Sequence, residues 1–184
     1  MLLPPILKDL HEAEPRIVIE VIASNDASDL LRREADIAIR NFRPKEPDLV
    51  ARKIRDATGR FFGTPAYLDR LGPIATAPDL SRASIIGLDD TALMIEGLRA
   101  MGLDLTEANF PLRSASFLVM WALVKQDLGL GLIDDRIGDA DPDVRRVLAD
   151  LAPFPFPVWL TAHREIHRNR RLRFVFDFLA QALK

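Results

Sequence analysis

Three serines stand where the pattern turns from strand to helix: Ser24, Ser114 and Ser116. Nucleophilic catalysis needs a hydroxyl beside a base that a third group holds in place. None of the three lies in a Gly-x-Ser-x-Gly elbow, and no triad follows from their spacing. Serines at such joints suit another chemistry, because they cap the helix and, with its free N–H groups, grip a carboxylate. Asn25 adjoins the first serine, and Phe117 follows the third and supplies an apolar contact. Arg40 adds positive charge, and Thr64 and Asp89 are subsidiary members of the set. Together these residues predict a site for a small anion, with no catalytic residue.

Other constellations are weaker. His163-Arg-Glu-Ile-His167 spaces two histidines as a zinc protease does, but the glutamate does not directly follow the first histidine, and strand gives way to helix here. His11 is the only other histidine, so no metal site is expected. Gly129-Leu-Gly131 lacks the third glycine of a dinucleotide loop and precedes a strand instead of following one, so it reads as a tight helix-to-strand connection. No cofactor is expected. Arg164, Arg168, Arg170, Arg171 and Arg173 form the one basic cluster, read as a solvated face paired with nearby carboxylates.

The bulk numbers narrow the function class. With 25 basic and 27 acidic residues the chain has a net charge of -2, which gives no global field for a phosphate backbone. The absence of cysteine removes disulfides, thiolate nucleophiles and zinc-thiolate sites together and favours a reducing compartment, the cytoplasm. The first residues carry no basic region and no cleavage site, so no signal peptide is expected, and no run reaches the roughly 20 apolar residues of a membrane span.

Strand and helix patterns alternate, predicting an α/β architecture with mainly parallel sheets. A first helix ends before Pro15, and the β-branched run Arg16–Ile22 reads as a strand. Asp36–Arg40 follows as a brief strand, then Leu49–Ile54 and an extended Gly59–Thr64. Pro65 opens a helix that Gly72 closes, and a strand over Ala83–Gly87 precedes a helix from Thr91 to Met101. Phe110–Arg113 is read as a strand, Ser114–Asp127 as a helix with a broad apolar face, and Leu128–Ile133 as a turn into a strand. Pro153-Phe-Pro-Phe-Pro157 is a stiff connector into a strand over Val158–Ala162, and a helix closes the chain.

Several of these stretches have a recognisable order. Pro15–Ile22 followed by Asp29–Arg40, then Pro47–Ile54, Thr64–Leu68, Leu123–Ile133, and Val158–His163 leading into Arg171–Leu179 resemble the substrate-binding domain of LysR-type transcriptional regulators across almost the whole chain. The resemblance implies two Rossmann-like lobes of the periplasmic-binding-protein type II kind joined by two crossover segments, with a small effector in the cleft. The first lobe is expected over residues 1–60 with 160–184 and the second over 61–159. On this reading the first lobe supplies Ser24 and Asn25, and the second Ser114, Ser116 and Phe117.

The resemblance also implies partners: a small-molecule effector, a second copy in an antiparallel dimer or a tetramer, and DNA only through a head domain not in this sequence. No membrane partner is expected. The winged helix-turn-helix is absent, and so are the family's first strand and the loop after it. The expectation is therefore a truncated chain whose first-lobe sheet lacks a central strand. Two rivals share the scaffold, a solute-binding protein of a transport system and an enzyme. The first would need an export signal and the second a fixed catalytic constellation.

Overall fold

The computed structural model describes residues 2–23, 35–88 and 91–184. The described residues divide into two compact units, one of residues 2–22, 35–57 and 155–184 and the other of residues 23, 58–88 and 91–154.

The first unit is built on strands with one apolar face. β1 (Ile37–Arg40) pairs antiparallel with β7 (Phe154–His163), setting Ile37 opposite Ala162 and Ile39 opposite Leu160. The period of two sends these four side chains to the same side. There they meet Leu10 of helix α1 (Leu3–Ala13) and Val175, Phe176, Leu179 and Ala180 of helix α6 (Arg170–Ala182). Pro4 and Pro5 fit the first turn of α1, where the missing N–H is not required. Asn169 starts α6 by accepting hydrogen bonds from the N–H groups of Arg171 and Leu172.

The run Arg16–Ile22 corrects the sequence reading, since it forms no strand. Its alternation survives: Ile17 and Ile19 pack against the core, while Val18 is 96% exposed. Alternation specifies which face is buried, but a strand also needs a hydrogen-bonded neighbour. Among the described residues none lies beside this segment.

Two readings of broken chain are also corrected. Leu49–Ile54 and Gly59–Thr64 belong to one strand of 15 residues, β2 (Leu49–Gly63), which runs from the first unit into the second. The proline run is not a connector, because β7 already begins at Phe154. Pro155 and Pro157, two apart, remove donors from the same edge of the strand and leave the other edge free to pair.

In the second unit β3 (Ile85–Gly87) lies parallel to both β4 (Leu112–Arg113) and β5 (Leu130–Asp134). Helices α3 (Thr91–Ala100) and α4 (Phe117–Val124) make the crossovers. The end of β2 pairs antiparallel with β5 and with β6 (Arg145–Val147). The sheet is therefore mixed, not mainly parallel, because β2 enters the unit from outside its crossover series. Helix α2 (Pro65–Leu71) and the short α5 (Asp135–Gly138) complete the unit.

Phe61, Leu80, Ile85, Leu98, Leu103, Leu105, Phe110 and Leu130 form its main core. Tyr67 reaches into it and ends on Ser84, donating to the Ser84 carbonyl at 3.2 Å and accepting from the Ser84 N–H at 2.8 Å. Phe62, Ile86, Met120, Val124 and Val144 make a second cluster beneath α4.

Candidate functional site

The C-terminal ends of the parallel strands β3 and β4 are where an open α/β sheet presents helix N-termini to a ligand. After β4 the chain turns through Ser114, whose N–H donates to the Gly87 carbonyl at 3.0 Å, at the end of β3. The Ser114 hydroxyl accepts from the Ser116 N–H at 3.1 Å, and the Ser116 hydroxyl accepts from the Val119 N–H at 3.4 Å as the cap of α4. The turn therefore gathers two serine hydroxyls at the start of an eight-residue helix whose first N–H groups have no partner within the helix. Phe117, Leu118 and Val119 stand there 40–49% exposed, so the polar turn is flanked by apolar surface. Such an arrangement suits a small ligand with an acceptor group and an apolar body.

The other end of α4 is tied down. The Trp121 indole donates to Asp141 at 3.2 Å, and the Lys125 ammonium lies 3.2 Å from Asp141 and 2.8 Å from Asp143. Burial pushes the Asp141 carboxyl up, but the Asp143 N–H, the ammonium and the indole outweigh it and hold the group below the usual carboxylate range. Lys125 moves the opposite way, raised chiefly by its bond to Asp143 and then by Asp141. Both shifts favour the charged pair. The Trp121 ring meets Phe62 edge-on, with centroids 6.5 Å apart.

This anchor is the part of the site that the sequence did not disclose. The pattern places Trp121 only on the apolar face of its helix. Its one legible signal is that Trp121 and Lys125 stand four apart on one helix, ahead of the acidic run Asp139–Asp143.

The remaining candidates are distributed. Thr64 caps α2 by accepting from the Tyr67 N–H at 3.3 Å and donates to Asp127, and it is buried. Asp127 adopts a positive φ of 59°, and its carbonyl accepts from Arg70 at 2.6 Å. The Thr64 hydroxyl is thus engaged by the chain itself. Arg40 belongs to the first unit, opposite Trp159 in the β1–β7 pair. Ser24, Asn25 and Asp89 lie outside the described residues.

His163 accepts from the Glu165 N–H at 3.4 Å at the start of a 3-10 turn. Among the described residues no group of three or more histidine and acidic side chains is arranged to hold a metal, and no helix is long and apolar enough to cross a membrane.

Comparison with known proteins assigns the architecture. The family model described as LysR substrate binding domain matches residues 1–184. The regulator CrgA of Neisseria meningitidis is 24% identical over 190 residues, which cover 99% of this chain and 62% of that protein. PtxR, an HTH-type transcriptional regulator of Pseudomonas aeruginosa, is 34% identical over 73 residues, covering 40% of this chain and 23% of that protein. The chain thus spans less than two thirds of the length of these relatives.

Among solved structures, the CrgA regulatory domain superposes with a TM-score of 0.83 at 22% identity, over 100% of this chain and 92% of that one. Full-length AphB of Vibrio cholerae gives 0.73 at 20% identity, over 98% and 63%. The fold is that of LysR regulatory domains, the periplasmic-binding-protein type II fold. With the family model matched from end to end, the chain belongs to the LysR substrate-binding domain family.

Proposed function

We propose that this domain is the sensor of a LysR-type transcriptional regulator and that it binds a small anionic metabolite at the turn Ser114–Phe117. The observation that carries the reading is the pair of serine hydroxyls at the N-terminus of α4, at the C-terminal ends of β3 and β4. Helix N-termini favour negative charge, and the exposed Phe117 and Leu118 supply the apolar half of a carboxylic acid's contacts. The domain senses and does not turn over its ligand. It acts in the cytoplasm, and the whole protein reads its DNA sequence through a separate head. Solute capture for transport is the other use of this scaffold, and the family match favours regulation.

The test is calorimetric titration of the chain with a panel of small aliphatic and aromatic carboxylates. Ser116→Gly removes the hydroxyl while costing the helix start only a few tenths of a kcal/mol. A hydrogen bond to a charged group is worth about 1.5–3 kcal/mol, so the affinity of any acid that binds should fall by about 10- to 150-fold. Equal affinities for wild type and variant would remove the site.

We further propose that the domain works as a dimer. Most of the apolar surface of α6 is consumed by its own unit, but Phe174 remains 38% exposed, and Leu93 on α3 is 70% exposed. Light scattering at high micromolar concentration should return twice the monomer mass, and a monomer would count against the proposal.

A further inference from the structure

The stretch from Arg164 to Arg173 carries five arginines and one glutamate in a chain whose net charge is -2. The sequence reading of a solvated face paired with carboxylates holds for only part of it. Arg164 meets Asp48 at 3.2 Å, and Arg168 meets Glu165 at 3.8 Å with its own side chain 84% exposed. Arg170, Arg171 and Arg173 are exposed and meet no carboxylate among the described residues.

Their position makes the cluster unfavourable for the fold alone. They are the first, second and fourth residues of the 13-residue α6, whose first turn holds no acidic residue. The positive end of the helix dipole lies there and disfavours cations. Nor does packing explain them, since the buried side of α6 is Val175, Phe176, Leu179 and Ala180. A local rule broken without an internal compensation is expected at a functional surface.

We propose that Arg168, Arg170, Arg171 and Arg173 form a contact surface for the phosphate backbone of DNA. The charges call for a polyanion, and guanidinium groups match phosphate oxygens in bidentate fashion. Arg170, Arg171 and Arg173 spread around the exposed arc of the helix and do not form one stripe, which suits a row of phosphates more than a single carboxylate. A contact of this kind reads no sequence; it adds affinity and fixes orientation. The inference goes beyond ligand sensing and rests on that reading only for tethering. In a protein that holds DNA through another segment, a linked patch acts at an effective concentration on the order of millimolar, so modest affinity suffices.

The experiment is fluorescence anisotropy of a labelled 20-base-pair duplex of arbitrary sequence, titrated with this chain between 20 and 200 mM NaCl. Binding is expected at low salt, and its logarithm should fall against log salt with a slope of about -3 to -4, from roughly 0.9 per neutralised phosphate. The exposed-site triple variant Arg170→Gln, Arg171→Gln and Arg173→Gln should bring the slope to about -1, with an unchanged circular dichroism spectrum. Ser116→Gly should leave it unaltered, which separates this surface from the ligand site. Absence of binding at 20 mM salt, or an unchanged slope in the triple variant, would overturn the proposal. So would competition by poly-L-glutamate as effective, charge for charge, as that by unlabelled duplex, which would assign the surface to an acidic protein.

Discussion

Phe62→Ala is expected to destabilise the second unit by about 3–5 kcal/mol, the range for deleting a buried aromatic ring. Phe62 is 1% exposed, at the end of β2, and packs with Ile86, Met120, Val124 and Val144. The α5 glycine, Gly138, sits so close that a Cβ there would fall 2.3 Å from the ring, so the surroundings are already in full contact. The ring also supports Trp121 edge-on, and hence the helix whose first turn carries Ser116. Urea unfolding followed by circular dichroism should show the loss in the midpoint. A change below about 1 kcal/mol would mean that the cluster beneath α4 collapses around the missing ring. Phe62→Leu keeps much of the volume and is expected to recover most of the stability.

The comparison of sequence and structure turns on what pattern can encode. The helix over Pro65–Leu71 was legible because Pro65 and Gly72 mark its ends, and Gly72 indeed adopts a φ of 84°. The Ser116 cap was legible because capping is local chemistry, although the helix expected over Ser114–Asp127 spans only Phe117–Val124, with Ser114 in the turn before it. Arg16–Ile22 misled because alternation says nothing about a neighbouring strand. β6 was not foreseen, since Arg145–Val147 is too short to show a period and is held by its pairing with Phe61–Gly63. The Trp121–Lys125–Asp141 anchor joins residues up to 20 positions apart, a separation over which no period operates. Thr64 shows the limit from the other side, for its residue type fitted a ligand contact while its hydroxyl is engaged by Tyr67 and Asp127.

Gly129→Ala is expected to cost about 1–3 kcal/mol, the usual price of overpacking, although the glycine carries no unusual backbone angle. A Cβ at this position would lie 2.7 Å from the Ser84 carbonyl oxygen and 3.2 Å from its carbon. Side chains yield to such contacts more readily than main chain does, and this carbonyl is pinned twice. It accepts from the Leu130 N–H at 2.9 Å and from the Tyr67 hydroxyl at 3.2 Å. Relief therefore requires β3 and β5 to part where Ile85 faces Leu130, both fully buried. The neighbouring Gly131 is needed for a related reason, because a Cβ there would meet the Val124 side chain of α4 at 2.8 Å. The Gly-x-Gly pair thus serves close approach of strand and helix. Gly72→Ala is the control: its φ of 84° strains any other residue, yet nothing lies within 4 Å of the added carbon. With ψ at -179° the residue lies in a region that only glycine adopts freely, and that variant should lose about 1–3 kcal/mol through backbone strain alone. Urea midpoints should therefore fall in both variants, through strain in Gly72→Ala and through contact in Gly129→Ala, and an unchanged midpoint in Gly129→Ala would show that the β3–β5 junction yields more easily than its buried packing implies.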